Sequence, residues 1–464
     1  MSGRAAADPI AFLQQQAPWL FAPELGVCIV GSAALRICCE RTAIPGPEPG
    51  DLDLAWGVDP ERGRALLEQH GVSLPTTTGN VARGTLALSL AGERIEITSF
   101  RGNPTGELLA ARIAADLAER DMTIGGIAIE LATGIAHDPH DGLGDWQGRR
   151  VVAIGDPAER IREHPIRWLR YYRKAHELDF ELDRAVRRLE VRDDLLAQLP
   201  PEAVAGELRA ILLRCRSPGR CLLELHEEAM LEGLSPELAR QFDGRAAGPQ
   251  RWHPEVSQAL HLILALEWAA ANTCELPERD RFAVLLAVLT HDLGKGWSPD
   301  RELPSHRGHE ARGVEHVERL LARWPGFADA RAGMLARHVC ELHLVVRNFD
   351  EQRNGTLASH YERWFRPKDY PVRLFAFAVA ADSAGRLGRA DSGAAVLVEV
   401  EARLQWLRAV CSGVDAAALR TRYPDDLEAF RAALHEARAR ALQATPFRLT
   451  SAAAGDPPSP SRRP

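Results

Sequence analysis

The sequence predicts an α+β protein, with a mixed sheet and helices at the N-terminal end and an all-helical remainder. Three observations carry this. Short apolar strands with period-two alternation crowd into roughly the first 150 residues. From Asp156 to about residue 445, apolar residues recur instead at helical spacing. The chain has 464 residues, too many for one ordinary core, so two to four domains are expected.

The elements follow in order. GVCIVGSA (26–33) reads as a buried strand running into a Gly-Ser turn, and DLDLAWG (51–57) as a second strand. Thr85–Leu90 and Arg94–Phe100 pair as a hairpin around Ala91-Gly92-Glu93. Leu108–Ala118 has helical spacing, and Ile124–Ala132 and Val151–Ile154 read as short strands. Asp156 suits a helix N-cap and Pro157 its first turn. The helical texture then breaks at Ser217-Pro218-Gly219 and across Gly244–Pro249. The Pro/Ser-rich end, AAAGDPPSPSRRP (452–464), is expected to be disordered. No internal repeat is visible. These breaks suggest segments 1–155 and 156–250, followed by a helical remainder.

Composition excludes several classes. A hydrophobic fraction of 45% with 26% charged residues belongs to a soluble globular protein. No run of eighteen apolar residues exists to span a membrane. The opening MSGRAAADPIAFLQQQAPWL lacks a charged-then-apolar leader, so a cytoplasmic location is expected. The eight cysteines form no CxxC pair and no regular spacing, as for reduced thiols. A net charge of −7 excludes a wholesale basic nucleic-acid binder. RNA contact would need a local patch, for which Arg209, Arg214, Arg216 and Arg220 and the arginines of 160–173 are candidates. An ordinary Arg-rich surface is the alternative.

Chemistry first shows in Gly31-Ser32 ahead of Asp51-Leu52-Asp53. Residues i and i+2 of a strand share a face, so Asp51 and Asp53 can aim two carboxylates at one divalent cation. Nucleotidyl transfer needs such a cation on the triphosphate and a tight Gly/Ser turn whose N–H groups approach the phosphates. Glu96, in RIEITSF, is the candidate third carboxylate. Taken alone, D-x-D after a Pro/Gly loop also fits a turn residue followed by a solvent-facing strand residue.

Its company favours the catalytic reading. ERDMTIGGIAIEL (119–131), DPHDGLGDWQGRRV (138–151) and GDPAERIREHPIRWLRYYRKA (155–175) follow in turn. In order and spacing, over roughly the first 180 residues, the chain resembles the bacterial class II tRNA nucleotidyltransferases, the CCA-adding enzymes and their poly(A) polymerase relatives. Their pattern is GGxVRD, D-x-D, RRD[FL]TIN, DPxxGLxD and EDxxRxLR. The resemblance implies a nucleotidyltransferase head over 1–155 and a helical neck and body over 156–250. It places magnesium on Asp51 and Asp53, the triphosphate by Gly31 and Ser32, and ribose and phosphates near Arg120 and Asp121. Glu163, His164 and Arg167 match the segment that recognises the base, with Arg170 one turn further on.

The departures carry consequences. Ser32, Leu35 and Arg36 replace Gly, Arg and Asp of GGxVRD. Glu119 and Gly125 replace the first Arg and the Asn of RRDxTIN, and His164 replaces the Asp of EDxxR. A neutral histidine offers one donor and one acceptor where carboxylate offers only acceptors, so base choice is open. Leucine in place of arginine removes a charge-assisted contact worth about 1.5–3 kcal/mol, roughly tenfold to a hundredfold in affinity.

A second constellation begins at LLAVLTHDLGKGW (285–297), where His291-Asp292 ends an apolar helix. His253-Pro254-Glu255 and His261 precede it; His306, His309, His343 and Asp382 follow. His and Asp spread over several helices suit a divalent metal that activates water toward a phosphate. By contrast, His70, His137 and His316 read as ordinary core or surface histidines. The pattern resembles the HD phosphohydrolase superfamily. WHPE, HDLGKG and HxxH together more closely resemble the tail of the gammaproteobacterial CCA-enzyme type. That resemblance implies an all-α HD domain over 251–400 and a helical C-terminal segment over 401–464. It implies a metal set of His261, His291, Asp292 and Asp382, filled by a transition metal such as Ni2+, Mn2+ or Co2+. His306, His309 and His343 would serve substrate or support the ligands, and Lys295 could hold a phosphate as a point charge.

The resemblances therefore imply a bifunctional enzyme, monomer or homodimer, that acts on the tRNA 3′ end. The head would add CCA from CTP and ATP. The HD domain would hydrolyse 2′,3′-cyclic phosphates, 2′-nucleotides or phosphomonoesters. The alternative is a diverged paralogue with weak or altered transfer, acting mainly as the phosphohydrolase.

Overall fold

In a computed structural model of the protein, the described residues are 7–449, except 49, 73–83, 102–107, 188, 190–194 and 197. The Pro/Ser-rich tail lies outside them. The chain divides into two compact units, residues 1–190 and 191–464. The boundary falls inside the segment 156–250, so the first helices after Asp156 belong with the sheet.

The N-terminal unit is built on a six-stranded mixed sheet. Its strands are β1 (Cys28–Val30), β2 (Leu52–Trp56), β3 (Thr85–Leu90), β4 (Glu93–Ser99), β5 (Ala128–Glu130) and β6 (Ala136–His137). The spatial order is β3-β4-β2-β1-β5-β6. Only β2 and β4 run parallel, with Asp53 opposite Glu96; the other neighbours are antiparallel. The expected hairpin forms with a tighter turn. Ala91 and Gly92 both take positive φ (49° and 87°), the two-residue geometry that follows strand twist, and Glu93 already belongs to β4.

Period-two alternation sorts β2. Leu52, Leu54 and Trp56 bury on one face, while Asp53 and Ala55 share the other. On that second face Ala55, Cys28, Val30 and Ala128 pack with Ile113 and Leu117 of the helix Leu109–Ala118. Asp53, next to Ala55 on this face, stands one step along from that apolar patch.

Two expectations are corrected. Gly31-Ser32 is no free turn, because the helix Gly31–Arg41 starts directly from β1. Gly31, at φ 67°, turns the chain there at little cost because it has no Cβ. Nor is Ile124–Ala132 one strand. Thr123–Gly125 forms a 3-10 turn, and pairing begins only at Ala128, since Gly125-Gly126 weakens any strand. The strand expected at Val151–Ile154 is shorter and shifted: β7 (Arg150–Val151) pairs in parallel with an unforeseen β8 (Glu181–Leu182). Two-residue strands carry no readable periodicity. Asp156 does cap Pro157–Glu163, accepting the Glu159 N–H at 2.9 Å.

The C-terminal unit is helical. Helix Glu278–Thr290 is buried continuously from Phe282 to Thr290, and Val372–Ala384 from Leu374 to Ala384. Helices apolar on every side belong in the middle of a bundle. Around them pack Gln258–Asn272, His309–Arg323, Ala330–Arg347 and Ser392–Ser412. After His291 the chain turns through a 3-10 segment, Leu293–Trp297, that presses onto the start of His309–Arg323. A Cβ on Gly294 would stand 1.9 Å from the His309 carbonyl oxygen. Gly294→Ala is therefore expected to destabilise this unit by about 1–3 kcal/mol, the usual cost of overpacking. A lowered thermal transition measures it.

All eight cysteines are free thiols. Among the described residues no helix is long and apolar enough to cross a membrane.

Candidate functional site

Each unit carries a site of its own. In the N-terminal unit, β2 and β4 place Asp53 and Glu96 side by side in register. A Cβ on Gly31 would lie 3.7 Å from Asp53 Oδ2, so this carboxylate lies against the start of the helix. Asp51 is exposed just ahead of β2. Ser32 is exposed at the helix start, with its Oγ 3.9 Å from where a Cβ on Gly50 would be. Burial, then the negative charges of Glu96 and Asp51, hold the Asp53 carboxyl above its ordinary value, against the pull of Arg120. Glu96 also takes an ion pair from Arg94 at 2.8 Å, and carboxylate oxygens of this kind are the hard donors that Mg2+ prefers.

The loop bearing Arg120 and Asp121 is gripped from the neck. Arg167 gives Nε to Asp121 Oδ1 at 2.7 Å, one amino group to Glu163 at 3.0 Å and the other to the Glu119 carbonyl at 2.9 Å. Arg170 bonds Asp121 Oδ2 at 2.8 Å, and the Tyr171 hydroxyl donates to the Asp121 carbonyl at 2.9 Å. Arg160 adds Glu163 at 2.8 Å and the carbonyls of Ala118 and Arg120. Arg167 and Arg170, expected to face the base, thus both bond Asp121, expected near the ribose. Arg167 is 3% exposed and its donors are spent within the protein, so here it braces. Arg160 and Arg167 also drop out of any RNA patch. In the other unit, Arg209 pairs with Glu278 and Arg220 with Glu267.

Burial raises the Asp121 carboxyl, but Arg170 and Arg167 outweigh it and the net shift is downward. A carboxylate with a depressed native pKa stabilises the fold above the unfolded value, about 3.9, and that contribution fades as pH falls through it. Asp121→Asn should cost about 2–3 kcal/mol at neutral pH. The gap between wild-type and variant urea midpoints should close as pH drops below 4.

In the C-terminal unit six side chains from five helical elements converge. His261 sits on Gln258–Asn272, and His291 and Asp292 follow Glu278–Thr290. His309 opens His309–Arg323, His343 lies on Ala330–Arg347 and Asp382 on Val372–Ala384. The four histidines are oriented alike. Nδ1 of His261 meets the Gly385 carbonyl at 3.1 Å, His291 that of Val288 at 2.7 Å, His309 that of His306 at 3.0 Å and His343 that of Val339 at 3.0 Å. A carbonyl can only accept, so each Nδ1 donates, which turns Nε2 inward, where it is a lone pair whenever the ring is neutral. Such carbonyl-oriented imidazoles are how proteins prepare metal ligands.

His291 Nε2 stands 3.2 Å and His261 Nε2 3.7 Å from Asp292 Oδ2, and His261 Nε2 is 3.2 Å from Asp382 Oδ1. Asp292 Oδ1 lies 3.1 Å from His309 Nε2. A buried carboxylate ringed by imidazole nitrogens fits a divalent transition metal. Burial pushes His343 down to about 4, keeping it neutral as a ligand must be.

Two further candidates lie close by, and the His306 carbonyl supports His309. His306 bonds Ser298 Oγ at 2.9 Å and the Ala246 carbonyl at 2.7 Å, so both nitrogens are used in holding loops. Lys295 is buried, with Nζ 2.6 Å from Asp292 Oδ2 and donating to the Ala247 carbonyl at 2.7 Å. Its charge balances that of Asp292. Glu255 was quoted within its motif but given no role. It is buried and accepts from His253 Nδ1 at 2.7 Å, with His261 Nδ1 at 3.1 Å. Arg347 lies 3.3 Å from Asp382 Oδ2, and no spacing signal in the sequence marks it. His70 stacks on Trp19 and His316 on Trp297, as ordinary histidines do.

The poly(A) polymerase head domain matches residues 39–152. The multifunctional CCA protein of Stenotrophomonas maltophilia (strain R551-3) is 34% identical over 311 residues, 65% of this chain and 72% of that one. The multifunctional CCA protein of Xanthomonas campestris pv. campestris (strain B100) is 33% identical over 364 residues, 76% of this chain and 85% of that one. The chain belongs to the multifunctional CCA protein family. Solved structures agree on the fold. The Bacillus stearothermophilus CCA-adding enzyme in complex with CTP superposes with TM-score 0.62 at 18% identity, covering 95% of this chain and 93% of that one. A tRNA nucleotidyltransferase complexed with a primer tRNA and an incoming ATP analog gives 0.52 at 18%, covering 83% and 97%. The expected class II resemblance and α+β head with a helical remainder therefore hold.

Within the family, this member's departures have structural partners. Leu35 is buried in the core. Arg36 turns to Glu40 at 2.6 Å and to the Ala7 carbonyl. His164 caps the end of Pro157–Glu163 and is exposed.

Proposed function

We propose that this protein extends the 3′ end of tRNA with CCA from CTP and ATP, and hydrolyses phosphate esters at a second centre in its helical unit. The observation that carries the first activity is the in-register pair Asp53 and Glu96 against Gly31, in a chain of the CCA family. Asp51 and Asp53 would hold Mg2+, which when bound supplies positive charge for the triphosphate and the departing pyrophosphate. Glu96 adds a third oxygen ligand or a base beside them. Arg120, whose charge reaches Asp53, faces the phosphates, while the Arg160–Arg167–Asp121 brace fixes its loop.

The second activity rests on His261, His291, Asp292 and Asp382 as ligands of a transition metal such as Ni2+, Mn2+ or Co2+, which when bound lowers the pKa of water. Glu255 holds His261, and Lys295 balances Asp292. The substrates proposed are 2′,3′-cyclic phosphates, 2′-nucleotides and phosphomonoesters. We assign 1–155 to the head, 156–250 to neck and body, 251–400 to the HD domain and 401–464 to a C-terminal helical segment. A cytoplasmic location follows from tRNA as substrate.

A second reading has its own support. Leu35 in the core, Arg36 bound to Glu40, Arg167 spent on Asp121 and His164 in the base-reading segment all favour weak or altered transfer, with phosphohydrolysis as the main activity. The experiment is to incubate purified protein with tRNA lacking CCA and each labelled triphosphate. Extension that Asp53→Ala abolishes supports the first reading. No extension, beside a metal-dependent phosphatase lost in His291→Ala, supports the second.

A further inference from the structure

We propose that Arg347 and Arg386 form a clamp for a phosphate dianion beside the centre of the helical unit, which therefore prefers phosphomonoesters such as 2′-nucleotides to the singly charged 2′,3′-cyclic phosphates. This rests on the phosphohydrolase reading and names the favoured substrate class within it. Arg347 comes one turn after His343 on Ala330–Arg347, so the two side chains share a face. The Asp382 carboxylate links them to the centre. Its Oδ1 is 3.2 Å from His261 Nε2, and its Oδ2 accepts from Arg347 Nη1 at 3.3 Å. The Arg347 side chain is 25% exposed where that of Asp382 is 4% exposed, so this guanidinium leads from the buried centre toward solvent.

Arg386 is fixed nearby through its two neighbours in the chain. The Gly385 carbonyl accepts from His261 Nδ1 at 3.1 Å, and the Leu387 N–H donates to Glu255 Oε2 at 3.3 Å. A Cβ on Gly385 would stand 2.8 Å from the Ala265 Cβ, so the backbone here is pressed onto Gln258–Asn272. Arg386 is half-buried, and the charges of Asp382, Arg347 and Glu255 all act on it. Yet among the described residues no carboxylate pairs with it, and its Nε is buried without a hydrogen bond. Desolvated donors cost free energy until an acceptor meets them. Lys295, another cation of this centre, is bonded to Asp292 Oδ2 and the Ala247 carbonyl. The two guanidiniums share one nearby metal-ligand candidate, Asp382, and keep planar donors that match phosphate oxygens in pairs. A phosphomonoester carries about −1.5 to −2 at pH 7 and a cyclic phosphodiester a single charge, so paired guanidiniums tell them apart by charge.

The test compares the full chain, loaded with Mn2+, with its Arg386→Ala and Arg386→Lys variants on a 2′-nucleotide and a 2′,3′-cyclic nucleotide at neutral pH. Bound manganese and the thermal midpoint are measured for each. Arg386→Ala should raise KM for the 2′-nucleotide by about tenfold to a hundredfold, the effect of one charge-assisted contact, and KM for the cyclic substrate by less. With ground-state binding lost, kcat should change little. Arg386→Lys, which keeps the charge, should recover part of the loss. In the wild type, labelling of Arg386 by phenylglyoxal, mapped by peptide mass spectrometry, should slow when inorganic phosphate is present; this readout needs no turnover. Equal rises in KM for the two substrates, or labelling indifferent to phosphate, overturn the clamp and leave the hydrolysis in place. A wild type that hydrolyses neither substrate overturns the phosphohydrolase reading instead.

Discussion

Asp53→Ala is expected to abolish extension of tRNA lacking CCA, with a fall in rate of at least the ~10²–10³-fold seen when one preorganised electrostatic group is removed. The expectation follows from where the sheet puts this side chain. Asp53 lies opposite Glu96 on the adjacent parallel strand and against the helix that begins at Gly31. Its burial and the neighbouring carboxylates raise its proton affinity. Concentrated negative charge is costly in the absence of a cation and becomes binding free energy when one arrives. Removing it should also relieve repulsion, so the variant is expected to fold at least as stably as the wild type. Lost extension with an unchanged or higher thermal midpoint separates a ligand from a structural residue. Extension that survives in Asp53→Ala would remove the chemical basis of the proposed transfer.

How much of this was legible in the sequence depended on range. Local signals read well: alternation in DLDLAWG, the Ala91-Gly92 turn and the Asp156-Pro157 cap are each settled by neighbours in the chain. The strand expected at Val151–Ile154 keeps only Val151, in β7, and β8 with its pairing was not legible, because it joins residues 31 apart with no pattern in β8. Motif residues were found more readily than their duties. Arg167 and Lys295 stand at motif positions, yet a guanidinium or ammonium that is buried must find acceptors. Those acceptors, Asp121 with Glu163 and Asp292 with the Ala247 carbonyl, come from distant segments. For the same reason His309 and His343 read as accessory histidines in the sequence. Only the packing of Ala330–Arg347 and His309–Arg323 against the His291-Asp292 turn brings their Nε2 atoms to Asp292.

Asp292→Ala is expected to have the largest effect on the helical unit, through two mechanisms that a second substitution separates. It removes the carboxylate that faces four histidines, so hydrolysis of 2′,3′-cyclic nucleotide should fall by ~10²–10³-fold or more. It also strands Lys295, 4% exposed and 2.6 Å from Asp292 Oδ2, as an unpaired buried charge. Breaking a buried pair from one side costs about 3–5 kcal/mol, so the thermal transition of this unit should drop markedly. Exchanging both partners together for apolar groups is far less costly than removing one. The double variant Asp292→Ala with Lys295→Met should therefore recover most of the stability and none of the hydrolysis, while tRNA extension continues throughout. Hydrolysis restored along with stability would mean that Asp292 serves only to neutralise Lys295, and the metal centre built around it would have to be abandoned.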